Sequence, residues 1–193
     1  MVYSAAMNDS APLASLRRRL AALPGWLVAM LAVAYAISQA TILAILHPLG
    51  PSIAKLQCCA FTADAYIATF RAWESAGVLS AYRAHFVLDD VHWIWYSLLA
   101  TALLCRLFER QRVPHRYDFV LVLPLVSGLC DAYENHLQHV FLSAPDYSTI
   151  VDPLPLLSTL ASDAKWALAA GYVLLITGLF VRGRLHGRAA ARA

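Results

Sequence analysis

The sequence predicts an all-α protein, a bundle of four transmembrane helices with a short amphipathic helix in the long outer loop between helices 1 and 2. Three observations predict it. Of 193 residues, 60% are hydrophobic and 14% charged, with a mean hydropathy of +0.58, a composition suited to an apolar solvent. Four apolar stretches reach the roughly 20 residues with which a helix crosses a bilayer core of about 30 Å. The basic residues collect at the ends of those stretches and form no groove or helical stripe.

The spans run from Pro24 to Leu46, Val87 to Phe108, Phe119 to Leu142 and Lys165 to Val181. Residues 24–182 form a single membrane domain, between a cytoplasmic tail at 1–23 and a basic cytoplasmic tail at 183–193, both expected to be disordered. Eleven of the fifteen Lys and Arg residues flank one side. They are Arg17, Arg18 and Arg19 before helix 1, Arg106, Arg110, Arg112 and Arg116 around the turn between helices 2 and 3, and Arg182, Arg184, Arg188 and Arg192 after helix 4. Cytoplasmic loops carry that excess, so both termini are expected to face the cytoplasm. Ser38-Gln39-Ala40 resembles a signal-peptide cleavage site, but the apolar run before it is longer than the usual h-region, which favours an uncleaved anchor.

Within the outer loop from Pro48 to Phe86, Thr62 is placed to cap a helix through Trp73 that carries Ala65, Phe70 and Trp73 at helical spacing. Gly77 breaks it before a second helix runs into helix 2. Tyr66, Trp73 and Tyr82 suit the aromatic belt of the outer interface. Cys58 and Cys59 are adjacent in this loop; a bridge between neighbours is strained and no second pair completes a metal set, so they read as small loop residues.

Charged groups at membrane depth cost roughly 2.5 to 3.5 kcal/mol each on insertion scales and therefore face partners inside the bundle. Helix 2 places His85, Asp89, His92 and Tyr96 on one stripe, and helix 3 places Asp131, Glu134 or Asn135, and Gln138 or His139 on another. Helix 4 opens with Asp163, Lys165 and Trp166, and helix 1 adds Ser38, Gln39 and Thr41. With helix 3 starting near Phe119, Asp131 lies roughly 18 Å along it at 1.5 Å per residue. All these groups converge on the outer half of the bundle.

From Gln57 to Trp166 the chain resembles a recurring bacterial family of small four-helix membrane proteins. The resemblance rests on Phe61 and the helix ending in Trp73, the Tyr82-Arg83 turn, Leu88-Asp89 with Tyr96, Asp131-x2-Glu134-Asn135, and Lys165-Trp166. It implies a location in the bacterial inner membrane. That pattern has apolar residues where this chain has Asp90 and His92, and a proline at Trp93, so it carries no metal role to His92. The layout is also similar to the fold of the sterol isomerase and sigma-2 receptor group, which has a long outer loop after helix 1 and acids on helices 2 and 3.

Three functional readings are open. In the first, Asp89, Asp131, Glu134 and Lys165 form a structural polar network. In the second, a lipid-like small molecule enters from the outer leaflet; Asp131, Glu134 and Lys165 are the candidate catalytic groups, and Asp89, Tyr96, Asn135, Trp73 and Trp93 the candidate binding groups. In the third, His92 and His139, with nearby carboxylates, hold a metal ion, or together they hold a haem. The sequence specifies no cofactor and no oligomeric state. Four helices without internal symmetry are few for alternating-access transport. No phosphate loop, nucleophile elbow or zinc-finger spacing occurs, so nucleotide hydrolysis, serine hydrolysis and nucleic-acid binding lack support.

Overall fold

Caps, prolines and glycines divide the chain into seven α-helices, with no strand among the described residues; the computed structural model describes residues 12–190. The helices are α1 (Pro12–Ala21), α2 (Gly25–Leu46), α3 (Ser52–Cys59), α4 (Ala63–Ser75), α5 (Leu79–Arg110), α6 (Leu123–Phe141) and α7 (Leu154–Ala190). Short 3-10 segments occupy His47–Leu49 and His115–Val122. Three stretches, Gly25–Leu49, Leu79–Arg110 and Leu154–Leu185, are long and apolar enough to cross a membrane. The 19-residue α6 is not one of them, because Asp131, Glu134, Asn135, His136, Gln138 and His139 lower its mean hydropathy.

The local signals in the loop after α2 act as expected. The Thr62 side chain accepts a hydrogen bond from the Ala65 amide and starts α4. Gly77 follows with φ at +72°, a left-handed turn that favours glycine, and α5 begins two residues later. Several boundaries differ from the sequence reading. The helix expected from Val87 begins at Leu79, because nothing after Gly77 interrupts the helical pattern. The helix expected from Phe119 begins at Leu123, since His115–Val122 winds as a 3-10 segment. The segment from Ser143 to Ala161 is loop only to Pro153; α7 starts at Leu154, eleven residues before Lys165, and continues through the expected C-terminal tail to Ala190.

The expected N-terminal tail is α-helical from Pro12 to Ala21; its first eleven residues, like 191–193, lie outside the described residues. Arg17 in α1 is 2% exposed. It pairs with Asp118 and with Glu109, each at 2.8 Å, and donates to the Val113 carbonyl at 2.8 Å. His115 approaches the other oxygen of Asp118 at 2.8 Å. A flanking arginine in the sequence thus latches α1 across the turn between α5 and α6.

α5 is the central helix: half of its apolar window is buried, against 17% for those of α2 and α7. α2 packs on one side of it and α6 on the other, while α7 packs along α6. α3 and α4 close one end of the bundle, hereafter the capped end, and α1 closes the opposite, arginine-rich end. An aromatic cluster of Tyr66, Phe70, Trp73, Tyr82, Phe86 and Phe141 fills the capped end, and Leu104, Cys105, Phe108, Leu121 and Tyr172 fill the other. Close approach of α5 and α6 depends on Gly128, where a Cβ would meet Ser97 Oγ at 3.0 Å and the Trp93 ring at 3.2 Å.

Candidate functional site

Between the two apolar clusters lies a layer of buried polar side chains centred on Lys165. Lys165 is 8% exposed, and Asp131 and Glu134 are 3% exposed each, so none of the three can rely on water to solvate its charge. The ammonium instead meets both carboxylates, Asp131 Oδ1 at 2.8 Å and Glu134 Oε2 at 2.6 Å. Their three-residue spacing on α6 brings both acids to one face of that helix, and α7 supplies the cation. The remaining carboxylate oxygens are also occupied. Tyr96 donates to Asp131 Oδ2 at 3.1 Å, and Gln57 Nε2 donates to Glu134 Oε1 at 3.2 Å. Ser127 reinforces the same helix pair by donating to the Lys165 carbonyl at 3.1 Å.

Asp89 differs from the other two acids. It faces the buried Asn135 across the α5–α6 contact, but its carboxylate has no Lys or Arg within ion-pair distance; its neighbour is His85 Nε2 at 3.8 Å. The other nitrogen of His85, Nδ1, bonds to the Tyr82 carbonyl. A carbonyl only accepts, so Nδ1 carries the proton and the neutral ring turns the lone pair of Nε2 toward Asp89. Two acceptors therefore face each other across a gap too long for a hydrogen bond between them.

That gap opens into a cavity of about 790 Å³. Near the capped end part of its wall is polar, with His85, Asp89, Asp131, Lys165 and Gln57, and part is apolar, with Ile42, Leu43, Leu46 and Ile53. Toward the arginine end it is lined by Leu99, Leu103, Val173 and Ile176. No extensive packing joins α2 to α7 among the described residues, and both line the cavity. Its mouth therefore lies between these two helices, whose outer surfaces expose Met30, Val33, Ile37, Leu43, Val173 and Leu174.

The structure thus gathers Asp89, Tyr96, Asp131, Glu134, Asn135 and Lys165 in one place. It separates the two tryptophans from them. Trp73 is buried in the aromatic cluster of the capped end and donates to Ser52 Oγ at 2.8 Å; Trp93 packs at Gly128 and donates to the Asp90 carbonyl at 2.9 Å. Neither lines the cavity, where the tryptophan is Trp166. The histidines His92 and His139 also part company. His92 bonds to Ser38 Oγ at 2.8 Å and Gln39 Oε1 at 3.1 Å, stacked on Tyr35, whereas the exposed His139 meets Asp90 at 2.9 Å. Among the described residues no group of three or more His, Cys, Asp or Glu stands together to hold a metal ion. Gln57 had no sequence signal, since one polar residue on a short loop helix does not reveal which way it points. Ser127 did have one, lying four residues before Asp131 on the same stripe.

No protein-family model, no curated protein and no solved structure matches the chain.

The two classes of acid respond differently to neutralisation. Asp131→Asn leaves Lys165 undercompensated and is expected to cost about 3 kcal/mol, read as a lower melting temperature in detergent. Asp89→Asn changes a part-buried acid with no Lys or Arg partner among the described residues and is expected to change stability by less than about 0.5 kcal/mol, or to raise it. Equal losses in the two variants would contradict this division.

Proposed function

We propose that the chain is a multi-pass protein of the bacterial inner membrane, with both termini cytoplasmic, that binds a lipid-like amphiphile in this cavity. In this reading α2, α5, α6 and α7 all cross the bilayer. The burial of Asp131, Glu134, Asn135 and Gln138 supports counting α6, because its polar face turns inward while Val126, Leu129 and Tyr133 face out. The distribution of arginines supports the orientation: Arg17, Arg106, Arg110, Arg112, Arg116 and Arg182 lie toward one end, and acidic Asp64, Glu74, Asp146 and Asp152 toward the other.

The observation that carries the binding reading is the cavity's mixed wall, mostly apolar with one polar patch of Gln57, His85, Asp89, Asp131 and Lys165 near the capped end. An amphiphile sliding between α2 and α7 lays its chain against Leu99, Leu103 and Ile176 and brings its head to Asp89 and His85. Among the described residues Lys165 is the one Lys or Arg lining the cavity, and both its partners are carboxylates. A carboxylate or phosphate head therefore finds no free cation and meets Asp89. A head that donates hydrogen bonds, neutral or cationic, fits the facing acceptors. The same saturation supports the structural reading for Lys165, Asp131 and Glu134, which hold the wall while Asp89 and His85 present it.

Two experiments test this. With all four native cysteines replaced by serine, single cysteines introduced at Ser148 and Arg188 are expected to react with a membrane-impermeant reagent from opposite sides, Ser148 from outside; labelling of both from one side contradicts the topology. In lipid nanodiscs, dodecylamine or dodecanol is expected to raise the melting temperature, by about 2.7 kcal/mol in stability at a hundred times Kd, and dodecanoate is not. Asp89→Asn should abolish the shift by the amine. Equal shifts from all three probes, or an undiminished shift in the variant, would refute the site.

A further inference from the structure

Cys58 and Cys59 close α3 and take no part in the cavity wall. Both thiols are free and exposed, and their sulfur atoms stand 2.9 Å apart. One residue earlier, Gln57 reaches Glu134 at 3.2 Å. One residue later, the buried Ala60 is tied to α7, its carbonyl accepting from Thr159 Oγ1 at 2.6 Å.

We propose that Cys58 and Cys59 form a reversible thiol–disulfide site that exchanges with disulfide-bearing partners and acts on the cavity through Gln57. In the forward direction the Cys58 thiolate attacks a partner disulfide, RSSR, giving a mixed disulfide and releasing one thiol. Cys59 then displaces the second R group. One sulfur–sulfur bond forms and one breaks, the two cysteines are oxidised by two electrons, the partner is reduced to two thiols, and the protons of the cysteines pass to those thiols.

Geometry makes this bond labile. The Cα atoms of neighbouring residues lie about 3.8 Å apart across a trans peptide, short of the roughly 4.4–6.8 Å that disulfides normally span. A ring closed over one peptide is therefore strained and readily reduced, as in bonds that switch and unlike those that brace a fold. Closing it requires the last turn of α3 to leave helical geometry. Ala60 is already non-helical, at φ −95° and ψ 89°, and is anchored by Thr159, so the adjustment falls on the Gln57 side. The Gln57–Glu134 contact is the longest of the four polar contacts to the Asp131 and Glu134 carboxylates given above and the one that joins them to the cap. Its loss loosens the polar end of the cavity and leaves the contacts of Lys165 in place. Cys59, through its hydrogen bond, raises the Cys58 thiol above its ordinary pKa. Since the thiolate is the attacking species, exchange speeds up as pH rises through and beyond the ordinary thiol range.

The test uses the full chain in detergent with excess oxidised glutathione, followed by intact-mass measurement and peptide mapping. The expected product has lost two hydrogen atoms, keeps no glutathione, carries a Cys58–Cys59 bond and reverts with dithiothreitol. Cys58→Ser is expected to keep one glutathione on Cys59. Two retained glutathiones on the native pair, a disulfide-linked dimer, or no reaction would overturn the site. For the coupling, oxidation and Gln57→Ala are expected to lower the melting temperature equally and not additively; additive shifts would overturn the route through Gln57. No occupant of the cavity is needed, so the outcome is independent of the amphiphile reading.

Discussion

A lysine ammonium buried in an apolar bundle must be matched by charge or it prevents the bundle from forming, and Lys165 is matched by two acids of a single neighbouring helix. The match is directional as well as electrostatic. Asp131 and Glu134 both lie on the α7-facing side of α6, so the contact fixes how α6 and α7 are rotated and slid against each other. A slip by one residue would carry the acids about 100° round α6 and leave three charges unpaired in a low-dielectric interior. Tyr96 and Gln57 extend the constraint to α5 and α3.

The cavity follows from that arrangement. α6 directs its polar face to α7 and α5, the small residues Ser127 and Gly128 allow close approach, and the two apolar clusters seal the ends of the bundle. α2 packs mainly on α5 and stays apart from α7, which leaves the crevice between them. The polar layer supplies part of the wall of that crevice, with each carboxylate oxygen of Asp131 and Glu134 already facing a partner. Asp89 and His85 Nε2 have no ion-pair partner of that kind, and in the proposed reading they are the groups that meet an amphiphile's head.

Much of this was legible in the sequence, where an apolar composition and polar residues at helical spacing leave few arrangements. Thr62 and Gly77 acted as their chemistry predicts, and Asp89, Tyr96, Asp131, Glu134, Asn135 and Lys165 come together, while His92 and His139 do not join one site. Three features were hidden. Arg17 looked like an ordinary flanking arginine, because topology and a buried ion pair call for the same residue type at the same place; only Asp118 and Glu109, some hundred positions away, distinguish them. Trp73 and Trp93 looked like binding groups of the site, because α4 and α5 carry aromatic residues on more than one face and periodicity cannot select the face. The early starts of α5 and α7 were missed because hydropathy detects the membrane-length part of a helix and not the polar turns that extend it.

The central claim is that Lys165 is held by Asp131 and Glu134 together and that this triad sets the α6–α7 register. A thermal-melting cycle in detergent tests it most directly, comparing Lys165→Met alone with the same substitution combined with Asp131→Asn and Glu134→Gln. The account predicts that the single substitution costs about 3 to 5 kcal/mol, because it leaves two buried acids without a cation, and that neutralising both acids restores most of the loss. A triple variant less stable than the single one, with losses that simply add, would show that the three residues do not act as a unit and would contradict the account.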